Sequence, residues 1–152
     1  MKPINMMKME FLSKSANEVF ARSVVAAFAA SLDPTIDELA DIKTAVSEAV
    51  TNCIVHAYRE CIGKIYITAA IYEGGRLTIK VKDNGCGIDD VQKAMEPMYT
   101  TSPETERAGL GFSVMESFMD KLKVRSKPQK GTTVVMEKRI NQRGLHNDAR
   151  ND

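Results

Sequence analysis

The sequence lacks the features that identify membrane, secreted and strongly charged proteins. Its longest strictly apolar run, residues 24–30, is far too short to cross a bilayer, and its first residues contain no sustained apolar core of the signal-peptide type. The 21 basic residues nearly balance the 20 acidic ones, so no net field favours nucleic acid or an anionic membrane. These absences predict a cytoplasmic protein that binds neither nucleic acid nor membranes directly.

Cysteine is scarce as well. Cys53, Cys61 and Cys86 are odd in number and lack the paired spacing of a zinc site. This usage argues against a disulfide framework and suits a reducing compartment. The simplest prediction for all three is that they are small buried hydrophobes.

The remaining pattern predicts helices first. Ser15 precedes Glu18 by the three residues of a capping box, which predicts a helix from there to about residue 32. Asp33 is then expected to cap a second helix, with Pro34 at its first position, that extends to about residue 58.

Alternating strands follow the helices. After a short first strand at about residues 8–12, the segments "KIYITAAIY" and "RLTIKVKD" form one predicted hairpin, and "KLKVRS" and "GTTVVMEKRI" form another. Between them we expect a short helix from Asp89, an irregular stretch over residues 98–108 and a helix that opens at Gly109. This order favours an α/β two-layer sandwich with a mixed, largely antiparallel sheet and helices on one face. Residues 1–140 are the predicted domain, and residues 141–152 a disordered polar tail.

One carboxylate falls on a buried strand face. In "RLTIKVKD" the apolar residues Leu77, Ile79 and Val81 alternate with polar ones, and a period of two places Asp83 on the apolar side. A buried carboxylate without a partner is costly. Either the strand bends before Asp83 and exposes it, or Asp83 lies in a pocket that awaits a hydrogen-bond donor.

Glu48 and Asn52 share one side of the second predicted helix, opposite its apolar stripe. Thr44, Thr51 and Val55 accompany them, so this side is either a solvated face or the wall of a cavity. A Glu and an Asn one turn apart suit metal-assisted chemistry, because an amide oxygen can bind Mg²⁺ while a carboxylate accepts a proton nearby.

Two glycine pairs complete the pattern. Gly85 and Gly87 follow Asp83, and Gly109 and Gly111 open a predicted helix after a polar loop. Glycine permits close approach of a ligand, and a helix N-terminus attracts phosphate, although either pair alone could serve only a turn. The P-loop, Rossmann and ordinary protein-kinase motifs are absent. Any nucleotide site would therefore belong to another class.

Four segments carry a family resemblance. In order, "SEAVTNCIVHAY", "DNGCGI", "YTTSPETERAGLGF" and "GTT" resemble the N box, the first glycine box, the lid with the second glycine box and the final Thr motif of the GHKL ATPases. The resemblance covers about residues 10–138 and implies the Bergerat fold with ATP or ADP and Mg²⁺ as cofactors. Within this superfamily the chain is most similar to the bacterial anti-sigma serine kinases.

The resemblance implies a role for each candidate. Asp83 would accept a hydrogen bond from the adenine amino group, Asn52 would bind Mg²⁺, and Glu48 would be the catalytic base. The other implied nucleotide contacts are Gly85, Gly87, Thr100, Thr101, Arg107, Gly109, Gly111 and either Thr132 or Thr133.

The resemblance also implies a homodimer that holds a sporulation sigma factor silent in its ATP form and phosphorylates a serine of an anti-anti-sigma protein. Arg22, otherwise an ordinary solvated side chain of the first helix, would contact both partners. Three alternatives stay open: a sequestering module without phosphoryl transfer, the equivalent kinase of a general-stress sigma factor, and a detached histidine-kinase ATP domain, for which no phosphoacceptor helix pair precedes the N box.

Overall fold

The computed structural model describes residues 1–88, 91, 95 and 107–140, with only the backbone for residues 107–110. In these residues three helices accompany a five-stranded sheet with the order β1-β2-β3-β5-β4, and every neighbouring pair of strands is antiparallel. In chain order the elements are β1 (Asn5–Leu12), α1 (Ala16–Ala29), α2 (Ile36–Asn52), β2 (Lys64–Tyr72), β3 (Arg76–Asp83), α3 (Arg107–Phe118), β4 (Lys121–Lys127) and β5 (Gly131–Arg139).

The core lies between the helices and one face of the sheet. Alternate residues of β2 and β3 are fully buried, among them Ile67 and Ile79, because successive side chains of a strand point to opposite faces. The helices contribute Val46 and Met115 to the same cluster. The predicted two-layer sandwich with helices on one face is therefore confirmed.

Both predicted helix caps differ from those in the structure. Ser15 adopts helical dihedral angles and makes no capping hydrogen bond with its side chain. The second cap is Thr35, whose hydroxyl accepts from the backbone N–H of Glu38 while the Glu38 carboxylate accepts from Thr35 N. Asp33 instead takes a left-handed conformation with φ 53°. The predicted capping box at Ser15 and the predicted cap at Asp33 are therefore wrong, although both helices begin within three residues of the expected places.

The predicted strands agree closely with the observed ones in position. Both hairpins are present, and β1 begins at Asn5, earlier than expected. The second helix reaches the predicted extent, but its α-helical part ends at Asn52 and continues as one wider π turn, Cys53–Ala57. α3 begins at Arg107, so residues 107 and 108 are helical and not irregular. The predicted short helix from Asp89, the rest of the irregular stretch and the tail fall almost entirely outside the described residues.

The cysteines do not share one environment. All three are free thiols; Cys53 is buried, Cys86 is half-buried and Cys61 is exposed. The prediction of a small buried hydrophobe holds for Cys53 and is wrong for Cys61. Among the described residues no helix is both long enough and apolar enough to span a membrane.

Candidate active site

Asp83 ends β3 with its side chain buried in the core layer, at 4% exposure. Its Oδ1 accepts hydrogen bonds from the backbone N–H groups of Gly85 at 2.9 Å and Thr132 at 3.2 Å. Its Oδ2 accepts one from Sγ of Cys53 at 3.4 Å. Burial raises the pKa of Asp83, and the three hydrogen bonds oppose that rise. The strand does not bend before Asp83, so the pocket interpretation of its position is the one that the structure supports.

The hydrogen bonds to Asp83 leave acceptor capacity for a ligand. An ionised carboxylate offers about four lone-pair sites, and the described residues supply three donors to it. One acceptor position remains, which fits the exocyclic amino group of adenine.

Asn52 and Glu48 face the third helix at Gly111. A Cβ placed on Gly111 would lie 3.0 Å from Nδ2 and 3.2 Å from Oδ1 of Asn52, and 3.4 Å from Oε2 of Glu48. The buried Nδ2 of Asn52 has no hydrogen-bond partner among the described residues. Buried polar groups without partners are uncommon and concentrate at functional sites. The structure therefore brings these three residues together around a polar group that can bind a ligand.

The described residues contain no group of three or more His, Cys, Asp or Glu side chains that could hold a metal ion. That finding is compatible with Mg²⁺ bound together with a nucleotide, because such an ion commonly takes one or two protein oxygens and completes its shell with phosphates and water. The amide oxygen of Asn52 fits this donor set.

Gly85 and Gly87 have close neighbours within the protein itself. A Cβ on Gly85 would clash with the backbone carbonyl of Ala57, and one on Gly87, where φ is 74°, would clash with the carbonyl of Lys127. Both glycines therefore allow the loop after β3 to pack against neighbouring backbone. Their contact with a nucleotide stays a prediction.

Tyr58 holds this loop and was not predicted as a site residue. Its hydroxyl donates to the carbonyl of Lys64 and accepts from the N–H of Asn84, both at 2.7 Å. Burial raises the pKa of Tyr58, so its hydroxyl keeps its proton. A Cβ on Gly63 would overlap the Tyr58 ring. The position of this aromatic residue at the end of the N-box segment was the signal available in the sequence.

The two candidate threonines of β5 lie on opposite faces of the sheet and differ in burial. Thr132 is buried, donates its N–H to Asp83 and shares a 2.8 Å hydrogen bond between its hydroxyl and that of Ser126. Thr133 is the next residue of the strand and points to the opposite face of the sheet. Thr132 is thus the one that lies beside Asp83.

Arg22 lies at a cleft between α1 and α2. Its Nη1 is 3.5 Å from Oε1 of Glu18, and the same Glu18 oxygen accepts a hydrogen bond from the hydroxyl of Ser47. The cleft has a volume of about 450 Å³ and is lined by Val19, Arg22, Ser23, Lys43, Thr44, Ser47 and Glu48. Glu48 therefore belongs both to this cleft and to the group around Gly111.

The remaining candidates fall in or beside the predicted lid. Thr100 and Thr101 lie outside the described residues. Arg107 and Gly109 belong to the first turn of α3, of which the backbone is described. The N-terminal end of a helix can bind phosphate through its first N–H groups and the positive end of its dipole.

Comparison with known proteins gives consistent results. The family model for the histidine kinase-like ATPase domain matches residues 12–138. A protein of Caldanaerobacter subterraneus subsp. tengcongensis named anti-sigma F factor is 65% identical over 136 residues, which are 90% of this chain and 94% of that protein. A protein of the same name from Clostridium kluyveri is 56% identical over 137 residues, 90% of this chain and 96% of its own length.

Solved structures share the fold at low sequence identity. The RsbU and RsbW domains of a Mycobacterium tuberculosis protein match with a TM-score of 0.65 and 18% identity, over 91% of this chain and 33% of that one. The catalytic domain of histidine kinase ThkA matches with a TM-score of 0.56 and 18% identity, over 90% and 97% of the two chains.

Proposed function

Since this chain belongs to the histidine kinase-like ATPase domain family and, within it, to the anti-sigma F factors, we propose that it is a serine-protein kinase that also holds a sigma F-like factor silent. The predicted family and fold are confirmed, and with them come nucleotide binding and an anti-sigma role. The phosphoryl transfer, its serine acceptor, the Mg²⁺ ion, the homodimer and the cytoplasmic location belong to the proposal.

The position of Glu48 carries the kinase proposal. Its Oε2 would lie 3.4 Å from a Cβ on Gly111, beside the Asn52 amide that the same Cβ would meet, and the residue also lines the cleft between α1 and α2. A carboxylate between a nucleotide site and an open cleft can accept a proton from a hydroxyl that enters through the cleft. Glu48 is therefore the general base in this proposal, and the acceptor serine approaches past Arg22.

The nucleotide would be held at its two ends by different elements. Asp83 would accept from the adenine amino group, with Thr132 beside it. At the other end, the N–H groups of the first turn of α3 would donate to phosphate oxygens, with Arg107 and the lid threonines Thr100 and Thr101 around them. The amide oxygen of Asn52 would hold Mg²⁺, which would supply positive charge to the phosphates.

The lid would make the complex sensitive to nucleotide state. The loop "TTSPETERAG" is polar and offers little apolar surface to bury, so its interaction with the nucleotide would depend on polar contacts with phosphate. ATP provides one phosphate more than ADP for these contacts. We therefore expect the sigma factor to bind the ATP form more tightly.

Arg22 and Lys43 give the cleft two cationic side chains, which suits a partner with acidic residues near its contact site. Arg22 is only partly exposed, at 40% of its side chain, and Glu18 holds it at the cleft wall. We propose that the sigma factor and the anti-anti-sigma protein both contact Arg22 and therefore compete.

The edge strand β1 supports a homodimer. It exposes Met6 and Leu12, and antiparallel pairing of two copies about Met9 would place Lys8 of each opposite Glu10 of the other. The opposite edge of the described sheet, β4, carries four basic residues that discourage pairing. Glu10→Lys should weaken the dimer in sedimentation experiments, and adding Lys8→Glu should restore it. Unchanged dimerisation of Glu10→Lys would place the interface elsewhere.

One experiment separates the kinase from its main alternative. The protein is incubated with γ-labelled ATP, Mg²⁺ and a candidate anti-anti-sigma protein, with the acceptor serine replaced by alanine as the control. Label on the wild-type partner alone supports the kinase. ATP-dependent sigma binding without label would instead indicate a sequestering module, and a preference for a general-stress sigma factor over a sporulation one would reassign the pathway.

A further inference from the structure

Cys53 is the first residue after the α-helical part of α2 and begins the π turn. Its side chain is buried, at 4% exposure, and its Sγ lies 3.4 Å from Oδ2 of Asp83. Because an ionised carboxylate can only accept hydrogen bonds, the thiol is the donor. The contact joins the helix that carries Glu48 and Asn52 to the carboxylate at the end of β3.

This contact acts on the Asp83 oxygen to which no backbone N–H group of the described residues donates. Gly85 and Thr132 both donate to Oδ1, so their hydrogen bonds share one oxygen and leave Oδ2 to other partners. The terminal torsion of an aspartate is broad. The donors on Oδ1 restrict rotation about this torsion, and the Cys53 thiol adds a further restraint on the other oxygen, Oδ2.

We propose that Cys53 is a positioning residue for adenine recognition: its thiol holds Oδ2 so that the remaining acceptor position of Asp83 faces the exocyclic amino group. The inference rests on the proposed adenine contact of Asp83. It adds Cys53, whose side chain contacts the Asp83 carboxylate, to the residues that determine specificity for a 6-amino purine.

The experiment compares ATP with purine riboside 5′-triphosphate, which lacks the 6-amino group, by calorimetric titration. Wild type should prefer ATP. Cys53→Ala should weaken ATP binding by about three- to ten-fold, the range of one ordinary hydrogen bond, because the substitution acts on the adenine contact only through the orientation of Asp83. It should leave the affinity for the purine analogue nearly unchanged. Cys53→Ser, which keeps a donor, should retain the preference for ATP.

Two controls separate positioning from packing. Val50→Ala removes buried volume from the same helix and should lower the thermal midpoint without changing the ratio of the two affinities. Cys61→Ala makes the same chemical change at an exposed site and should change neither. If Cys53→Ala does not fold, Cys53→Val, which also lacks a donor, is compared with Cys53→Ser instead.

The outcomes are distinct. If Cys53→Ala lowers the affinities for ATP and for the purine analogue by the same factor, or lowers neither, the positioning role is overturned. The adenine contact of Asp83 would then remain intact. A wild-type protein that binds ATP and the purine analogue equally would overturn the adenine contact itself, and the role of Cys53 with it.

Discussion

The α-carbon of Gly111 packs against the side-chain amide of Asn52, so closely that a Cβ there would lie 3.0 Å from Nδ2. The amide would have to shift to accommodate it. Alanine favours a helix over glycine by about 1 kcal/mol. Gly111→Ala should therefore keep or raise the thermal midpoint and yet weaken Mg-ATP binding, as measured by calorimetry.

Ser117→Ala is the matched control for that variant, because Ser117 lies on the exposed face of the same helix and bonds only within it among the described residues. It should leave nucleotide affinity unchanged. If Gly111→Ala binds Mg-ATP like wild type, the position of the Asn52 amide does not matter for the nucleotide.

Local periodicity predicted much of this site. Alternation along β3 placed Asp83 on the buried face, and the four-residue spacing on α2 placed Glu48 and Asn52 together; the structure confirms both placements. The hydrogen-bond partners of Asp83 were not predictable in this way. Cys53 and Thr132 are 30 and 49 positions distant in sequence, and no local pattern specifies a contact across elements.

The helix caps show a second limit of the sequence. Asp33 and Thr35 are both residues that cap helices well, and Pro34 stands between them. Which of the two becomes the cap depends on the backbone dihedral angles at single residues: Asp33 is left-handed and Thr35 is extended. The spacing of Thr35 and Glu38 was the available signal, since it is also that of a capping box.

Asp83→Asn should bind ATP about 10- to 100-fold more weakly at neutral pH, because one hydrogen bond to a charged acceptor is lost. The asparagine oxygen can still accept from Gly85 and Thr132, so the fold should persist. Calorimetric titration and thermal denaturation of both proteins measure the two effects. Wild-type affinity in the variant would mean that Asp83 does not contact the base.

The pH dependence of nucleotide binding follows from the same carboxylate. Burial raises the pKa of Asp83, so the native state takes up a proton there at a higher pH than the unfolded chain does. The free energy of unfolding of wild type, relative to that of Asp83→Asn, should therefore rise as the pH falls through that pKa.

The affinity for ATP should fall over the same pH range, since protonated Asp83 no longer accepts a hydrogen bond from adenine. The midpoint of that loss should lie above the usual aspartate range, and a midpoint within it would contradict the buried carboxylate as the determinant.

Substitutions of Glu48 and Asn52 should affect different steps, although the two residues are neighbours. Glu48→Ala should still bind Mg-ATP but lose roughly 10²- to 10⁴-fold in the rate of phosphoryl transfer, the usual contribution of a general base. Asn52→Ala should lose the part of its ATP affinity that depends on Mg²⁺, which titrations with Mg²⁺ and with a chelator reveal. A Glu48→Ala variant that phosphorylates its partner at the normal rate would show that Glu48 is not the general base.

The hydrogen bond between Ser47 and Glu18 links α2 to the arginine that we propose both partners contact. Arg22→Glu should weaken binding of the sigma factor and of the anti-anti-sigma protein without changing ATP affinity, because Arg22 lines the cleft and makes no described contact with Asp83 or Asn52. Ser47→Ala removes one of the two groups that hold the Glu18 carboxylate. Its effect on partner affinity should be smaller, a few-fold, since a partly exposed ion pair contributes about 0.2–1 kcal/mol.

Ser23→Ala tests whether these effects come from Arg22 or from the cleft in general. Ser23 lines the same cleft, but its hydroxyl bonds to the carbonyl of Val19 in its own helix. Partner affinities measured by titration in the presence of ATP should therefore remain at the wild-type level. If Ser23→Ala and Ser47→Ala weaken the partners equally, the shape of the cleft determines binding. If only Ser47→Ala weakens partner binding, the Glu18 carboxylate determines the affinity by holding Arg22 in place. Adding Glu18→Gln to Ser47→Ala should then lower the partner affinities little further.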